Sequence, residues 1–442
     1  MKLIISNNIR IQNPTAEIKE YCSKNLVLNN PDYIIAQRLG HYVGKMPQFL
    51  KLYSKDANDL ILPFGTLQNV WKLAKNSEYE LKFNPCRLNK MSGSINLYSY
   101  QKQALNELIL KKNGVLEAPC GSGKTMIGLQ LIKELGFKAL WLTHTEKLLE
   151  QSKTRCESNF KGDFGTITKG EVNIGNDITF ATVQTMSKID PEIYKNAFDI
   201  VIVDECHHCV GSPTKVMQFY KVVSNCNCRY KYGMSATLTR SDGMINSLYS
   251  IIGDLIYSIK KEDVGDKTIK AVHIPVSIDL DYNEMDYLNA DGTLNYCNLI
   301  NMLSLNQERN NIICSKVFDN FTKGRKQIVL CERLSQVDYL AKEIRKFCKV
   351  SILTGKIQKK DREYDADVIV TTFKLSKEGL DIPELDCLHL AMIQKDKSTV
   401  LQSVGRIERN VKDKKQPICF DYVDTKISYC ISAFKKRKKI LK

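Results

Sequence analysis

From about Ile95 onward, two hydrophobic patterns alternate along this chain. Short continuous apolar runs are followed by stretches in which apolar residues recur every three or four positions. The runs are Val115-Leu116, Ala139-Leu140-Trp141-Leu142, Ile178-Thr179-Phe180, Ile200-Val201-Ile202-Val203 and Tyr230 to Met234. Such runs read as strands buried on both faces, hence as a mostly parallel sheet. Between them, Ile127, Leu131 and Leu135 fall four apart on one helical face. A second series follows the stretch from Ser241 to about Arg309. Its strands are Ile328 to Leu330, Val350 to Leu353, Val368 to Val370, Leu388 to Leu390 and Ile418 to Phe420, with Val337, Leu340, Ala341 and Ile344 on one helix face. Strand–helix alternation in two blocks predicts two tandem α/β units. Residues up to about Gly93 carry a weaker pattern, an excess of basic over acidic residues, and turn signals at Asn30-Pro31 and Pro63-Phe64-Gly65. They read as a small α+β module. The expected domains are therefore 1–93, 94–262 and 263–442, the last ending in the basic run Lys435-Lys436-Arg437-Lys438-Lys439.

Composition narrows the partners. The chain has 442 residues, 43% hydrophobic and 26% charged, enough apolar material for several cores. Its net charge of +16 favours a polyanion, above all nucleic acid. The 15 cysteines are odd in number and irregularly spaced, which fits a reducing compartment without a disulfide framework. Cys206-His207-His208-Cys209 and Cys226-Asn227-Cys228 would have to converge from separate strand ends to bind zinc, so no zinc site is expected. The apolar run within Met1 to Asn8 is too short for a signal peptide, and nowhere do 18 apolar residues run together. A cytoplasmic protein that does not enter membranes is expected.

Two segments carry the chemistry. Ala118-Pro119-Cys120-Gly121-Ser122-Gly123-Lys124-Thr125 follows the first strand and opens a helix, the context of a phosphate-binding loop. Gly121, Ser122 and Gly123 would let backbone N–H groups curl round a β-phosphate. Lys124 would reach the β- and γ-phosphates, Thr125 would offer its hydroxyl to magnesium, and the helix N-terminus would add partial positive charge. Asp204-Glu205-Cys206-His207 ends the run Ile200 to Val203. Adjacent carboxylates at a strand end can divide labour, Asp204 toward a magnesium ion and Glu205 toward an attacking water. Together these segments predict a Mg2+-dependent nucleoside triphosphatase, with many such enzymes still open. Once the remaining segments are added, the expected cofactors are ATP and Mg2+.

Three further segments narrow the class: Ser235-Ala236-Thr237, Glu378-Gly379-Leu380-Asp381-Ile382-Pro383 and Gln402-Ser403-Val404-Gly405-Arg406-Ile407-Glu408-Arg409. With Tyr98-Ser99-Tyr100-Gln101 at the front, their order resembles that of a superfamily 2 helicase from about Leu97 to Asp421. The segments Trp141 to Gln151 and Phe180 to Thr185 are similar to those of the UvsW-type phage helicases, the poxvirus transcript-release helicases and the XPB group. Two departures stand out: Cys206 replaces the commoner alanine, and the usual arginine before Tyr100-Gln101 is absent.

The resemblance implies two RecA-like domains behind an accessory DNA-binding domain. It implies that Gln101 selects adenine, that Gly379, Asp381 and Gln402 lie at the nucleotide, and that Arg406 and Arg409 reach the γ-phosphate when the two units close. Ser235 and Thr237 would relay nucleotide state. Thr143, His144, Thr182, Gln184, Thr185, Thr371 and Lys374 would grip phosphates without reading bases. The implied function is a monomeric ATP-dependent DNA helicase or translocase on branched or forked DNA, working beside recombination, repair or replication proteins in the host cell of a phage or large DNA virus. An RNA-directed helicase or transcript-release factor, and the motor subunit of a restriction or nuclease complex, are the alternatives. The chain contains no convincing nuclease motif.

Overall fold

Ile200–Asp204 is buried at every position, as is the neighbouring strand Ala139–Thr143, and on its other side Tyr230–Ser235 is buried at all but Tyr230. That is the environment its unbroken apolar sequence requires. In the computed structural model the described residues exclude 76, 120, 211, 237, 239–242, 261, 356, 358–362, 364, 378–381 and 442, and the side chains of 266, 267 and 377. They form two compact units, Met1–Asp263 and Val264–Lys442.

The first unit is built on an eight-stranded sheet. Its strands are β1 (Asn113–Glu117), β2 (Ala139–Thr143), β3 (Phe164–Thr168), β4 (Glu171–Asn173), β5 (Ile178–Thr182), β6 (Ile200–Asp204), β7 (Tyr230–Ser235) and β8 (Leu255–Ser258). The order is β4-β3-β5-β2-β6-β7-β1-β8, all parallel except the edge strand β4. Helix α1 (Ser99–Lys111) precedes β1, and α2 (Lys124–Leu135) follows it. Helix α2 packs tightly on the sheet at Gly128, where a Cβ would stand 2.8 Å from both Met234 and Trp141.

The N-terminal residues form their own sheet, in the order Ser54–Asp56, Asp59–Pro63, Asn8–Gln12, Lys2–Ile5, Glu78–Leu81, backed by helices Ala16–Asn25 and Leu67–Leu73. Ile9, Ile11, Ile18, Leu62 and Val70 fill its interior and belong to the same continuous apolar cluster as Val203, Phe219 and Leu248. The join is close. A Cβ on Gly65 would come within 2.4 Å of the Tyr249 carbonyl. The wholly buried Lys231 sets its ammonium 4.2 Å from the centre of the Phe64 ring, and burial pushes its pKa down to about 8. The module is thus fused to the first α/β core.

The second unit has a six-stranded, all-parallel sheet: β9 (Val272–Ile278), β10 (Gln327–Cys331), β11 (Val350–Leu353), β12 (Val368–Thr372), β13 (Cys387–Leu390) and β14 (Ile418–Asp424), in the order β9-β14-β13-β10-β12-β11. Strand alternation separates two cores. Ile328 and Leu330 face one side, with Val404 of α5 (Lys397–Ile407) and Ala433 of α6 (Ser428–Leu441). Val329 and Cys331 face the other, with Val317 of α3 (Gln307–Phe321) and Leu340 of α4 (Leu334–Ile344).

Two buried polar clusters fix this unit. Arg309 donates from Nε to Asp424 Oδ1 at 3.0 Å and from a terminal nitrogen to the Ala391 carbonyl at 2.8 Å, with both charged side chains at most 1% exposed. Arg309→Met strands a buried carboxylate. It is expected to lower unfolding free energy in urea by about 3–5 kcal/mol, most of it restored by adding Asp424→Leu. His389, wholly buried, meets Tyr422 Oη at 2.9 Å and Gln327 Oε1 at 2.9 Å, and burial pushes its pKa down to about 3. Because the unfolded imidazole takes its proton near pH 6.5, stability should fall as pH drops below that value. The expected loss is about 2 kcal/mol between pH 7 and pH 5, and His389→Gln should lack this part of the slope. Urea midpoints of both proteins at the two pH values provide the check. Among the described residues no helix is long and apolar enough to cross a membrane.

Candidate functional site

The end of β1 turns into α2 through two left-handed glycines, Gly121 at φ +83° and Gly123 at φ +80°. Only glycine takes that backbone without cost. A Cβ at Gly123 would also lie 2.4 Å from Gln101 Nε2, so a side chain there would have to displace that amide. Gln101 sits at the start of α1, 4% exposed. It donates from Nε2 to the Ser122 carbonyl at 2.8 Å and accepts from the Tyr98 N–H at 2.9 Å. Tyr100 Oη donates to the same carbonyl at 3.2 Å. The glutamine expected at adenine is therefore also a brace for the loop. Ser122 itself is fully buried.

Lys124, in the first turn of α2, is 8% exposed. Its ammonium lies 3.2 Å from the Ala118 carbonyl and 3.4 Å from Glu205 Oε1. The next residue, Thr125, accepts a hydrogen bond from Arg155 at 3.1 Å. Across the sheet, β6 ends at Asp204, and Glu205 turns the chain with φ +46° and ψ 48°. A non-glycine residue in this region carries strain of the kind that gathers at functional sites. The turn lets the Glu205 N–H donate to Asp204 Oδ1 at 3.0 Å, while Ser152 Oγ stands 3.5 Å from Asp204 Oδ2.

The two carboxyls are driven apart electrostatically. Burial, reinforced by the neighbouring Glu205 charge, pushes Asp204 up to about 6. Burial works against Glu205 as well, but Lys124 and His207 outweigh it and hold Glu205 below the usual carboxylate range. Glu205 is thus the ionised member, poised to accept a proton. Asp204 is the member that a nearby cation would restore to full charge. Glycines that open the loop, a buried ammonium, and a hydroxyl and carboxylate on neighbouring elements make a donor set that fits nucleotide phosphates and magnesium.

The tetrad also reaches sideways. His207 Nδ1 meets Ser235 Oγ at 2.7 Å and lies 3.5 Å from Glu205 Oε2. The His207 and His208 rings are 4.0 Å apart, and so are those of His208 and His144. Burial pushes His144 down to about 4, so that ring is neutral at pH 7. Gln184 closes the series by donating to the His144 carbonyl at 3.0 Å. The series links Ser235, a coupling candidate, to two of the nucleic-acid candidates.

The other nucleic-acid candidates differ in availability. The hydroxyls of Thr143, Thr182 and Thr371 donate internally, to the Thr145 carbonyl, Thr185 Oγ1 and the Leu353 carbonyl. Thr185 is half-buried and accepts that bond from Thr182, whereas Lys374 is exposed. In the second unit Gln402 is 9% exposed on α5, Arg406 is half-buried in the last turn of α5, and Arg409 lies just beyond it. Thr237, Gly379 and Asp381 lie outside the described residues.

Sequence reasoning missed four supporting residues. Ser152 and Arg155 lie one turn apart on the helix after Thr145, and helical spacing could have flagged them. Tyr100 stood inside a segment already singled out. Glu408, 3% exposed, accepts from the Ile269 N–H through its carbonyl at 2.7 Å and from the Ala271 N–H through Oε1 at 3.1 Å. No local pattern signals that long-range role.

Residues 94–240 match the family described as Type III restriction enzyme, res subunit. "Putative ATP-dependent RNA helicase L396" of Acanthamoeba polyphaga mimivirus is 28% identical over 321 residues, covering 70% of this chain and 60% of its own length. "Probable helicase D10" of Escherichia phage T5 is 24% identical over 438 residues, covering 96% of this chain and 90% of its own length. "DNA 3'-5' translocase XPB2" of Sulfurisphaera tokodaii is 29% identical over 177 residues, 40% of this chain and 38% of the relative. In these matches the chain is similar to the superfamily 2 helicases. Within them its relatives include viral helicases and the XPB group, as the sequence likeness implied. A solved structure of S. cerevisiae Dbp5 shares the fold, with TM-score 0.57 and 15% identity over 86% of this chain and 92% of Dbp5. The two parallel-sheet units have the tandem RecA-like fold seen in that structure.

Proposed function

We propose that this chain is a superfamily 2 helicase, an ATP-driven DNA motor that acts on branched or forked DNA in recombination, repair or replication. The ATPase half rests on one observation: Lys124, Glu205 and the Gly121–Gly123 loop converge on one sheet end. Glu205, held ionised by Lys124 and His207, orients the attacking water and takes its proton. Lys124 neutralises charge on the transferred phosphoryl group, and the loop amides hold the remaining phosphates in line. Thr125 and Asp204 would hold magnesium, which when bound offsets phosphate charge. Gln101 and Tyr100 keep the loop in its receptive shape. Arg406 and Arg409, with Gln402, Gly379 and Asp381, complete the site on closure. Ser235, through His207 and the His208–His144 stack, passes the state of the nucleotide toward Gln184.

DNA as the track is supported by the name of the XPB2 relative. The mimivirus relative's name favours RNA, and the matched family's description favours a restriction motor. One panel separates the three. ATPase stimulation and unwinding are measured on forked DNA, four-way junctions, linear duplex and RNA–DNA hybrids. Strongest stimulation by forks or junctions is expected. Stimulation by RNA alone would overturn the DNA reading, and cleavage of any DNA would favour the restriction motor. Because the N-terminal module shares its core with the first unit, its contribution is best tested by substitutions on its surface rather than by deletion.

A further inference from the structure

Helix α6 carries Lys435, Lys436, Arg437, Lys438 and Lys439, and no acidic residue from Ser428 to Leu441. One of these cations faces inward. Arg437, its side chain 1% exposed, pairs with Asp421 Oδ1 at 2.7 Å and donates to the Gln394 carbonyl at 3.0 Å. That pair, with the buried Cys430 and Ala433, fixes the rotation of the helix about its axis. The four lysines are therefore held on the outer face, where all are exposed. Among the described residues none of the four forms an ion pair.

A groove of about 490 Å³ runs along this face, lined by Ser428, Ile431, Ser432, Lys435, Lys436 and Lys439. Its polar groups run from Ser428 to Lys439, eleven helical rises or roughly 16 Å at 1.5 Å per residue. At 3.4 Å per nucleotide along one strand, that length tracks about five phosphates. The stripe is also unfavourable when empty. Lys435 and Lys439 stand four apart and Lys436 and Lys439 three apart, spacings at which like charges repel. The helix dipole favours cations only in the last turn, which Lys435 and Lys436 precede. Ordinary surface helices intersperse both signs. A polyanion relieves the repulsion, and the two serine hydroxyls add donors suited to phosphate oxygens.

We propose that this groove is a binding track for the phosphodiester backbone of the nucleic acid on which the motor acts. The inference rests on the helicase reading and adds a sequence-independent grip on the second unit. The test uses the full chain carrying Lys435→Ala, Lys436→Ala and Lys439→Ala together. Affinity for labelled duplex DNA and for duplex RNA of equal length is measured over a salt series. The slope of log Kd against log salt should shrink by about 2–3, and affinity at low salt should fall about 10-fold or more. Basal ATPase should not change. A control with Lys323→Ala, Lys342→Ala and Lys346→Ala removes equal charge from the opposite sheet face and should keep the slope. Replacing the three groove lysines by arginine should also keep it. The groove proposal is overturned if the slope is unchanged, if the control loses as much, or if only affinity for phosphatidylserine vesicles falls. In each of those cases wild-type binding and stimulation leave the helicase reading standing. A wild-type protein that hydrolyses ATP but binds neither nucleic acid overturns both.

Discussion

Glu205→Gln is expected to bind ATP as tightly as the wild type and to hydrolyse it about 10³-fold more slowly. The amide fills the same space but cannot accept a proton. It also gives up the charge that Lys124 and His207 hold in place, 3.4 Å and 3.5 Å away. Nucleotide affinity should survive because the loop amides and Lys124, not Glu205, face the phosphates in the proposed site. Nucleotide titration and single-turnover hydrolysis on the same preparation separate binding from chemistry. A variant with normal turnover would remove Glu205 from its proposed role, and one that no longer binds ATP would mean the carboxylate shapes the loop instead.

Arg406→Ala should keep ATP and nucleic-acid affinity yet reduce nucleic-acid-stimulated turnover by about 10³-fold, the scale of an arginine finger. Arg406 stands in the last turn of α5, on a unit whose sheet is separate from the one that carries the phosphate loop. A finger on a second unit makes hydrolysis depend on closure, and that dependence lets cleavage drive motion. The informative quantity is the ratio of stimulated to basal rate. It should collapse toward one in Arg406→Ala, whereas Glu205→Gln should depress both rates. Unchanged stimulation would contradict the split site.

The strands were legible because burial on both faces writes itself into sequence as an unbroken apolar run. The runs from Ala139, Ile200 and Tyr230 are central strands, each expected position falling inside an observed element. The edge strand Glu171–Asn173 was missed for the same reason, since all three of its residues are exposed. Val272–Ile278 was missed too; exposure at Val272, Pro275 and Ser277 breaks its pattern. The phosphate loop was legible because its chemistry is local, with glycine, lysine and hydroxyl groups lying within five positions.

Sequence alone determined the alternation of strand and helix, the phosphate loop and the paired carboxylates, since each follows from residues adjacent in the chain. Tertiary structure decided which polar groups meet. Gln101 braces Ser122 because α1 packs against α2. His144 stacks on His208 because β2 and β6 are neighbours in the sheet. Thr143 and Thr182 are partners in the strand register, yet each hydroxyl turns to a partner a few residues away. Arg309 finds Asp424 across 115 residues. A hydrogen bond or ion pair depends on ångström-scale position, which is set only when strand order, register and helix packing bring distant segments together. Apolar burial needs only a side of the sheet, and a side is what a sequence pattern can encode.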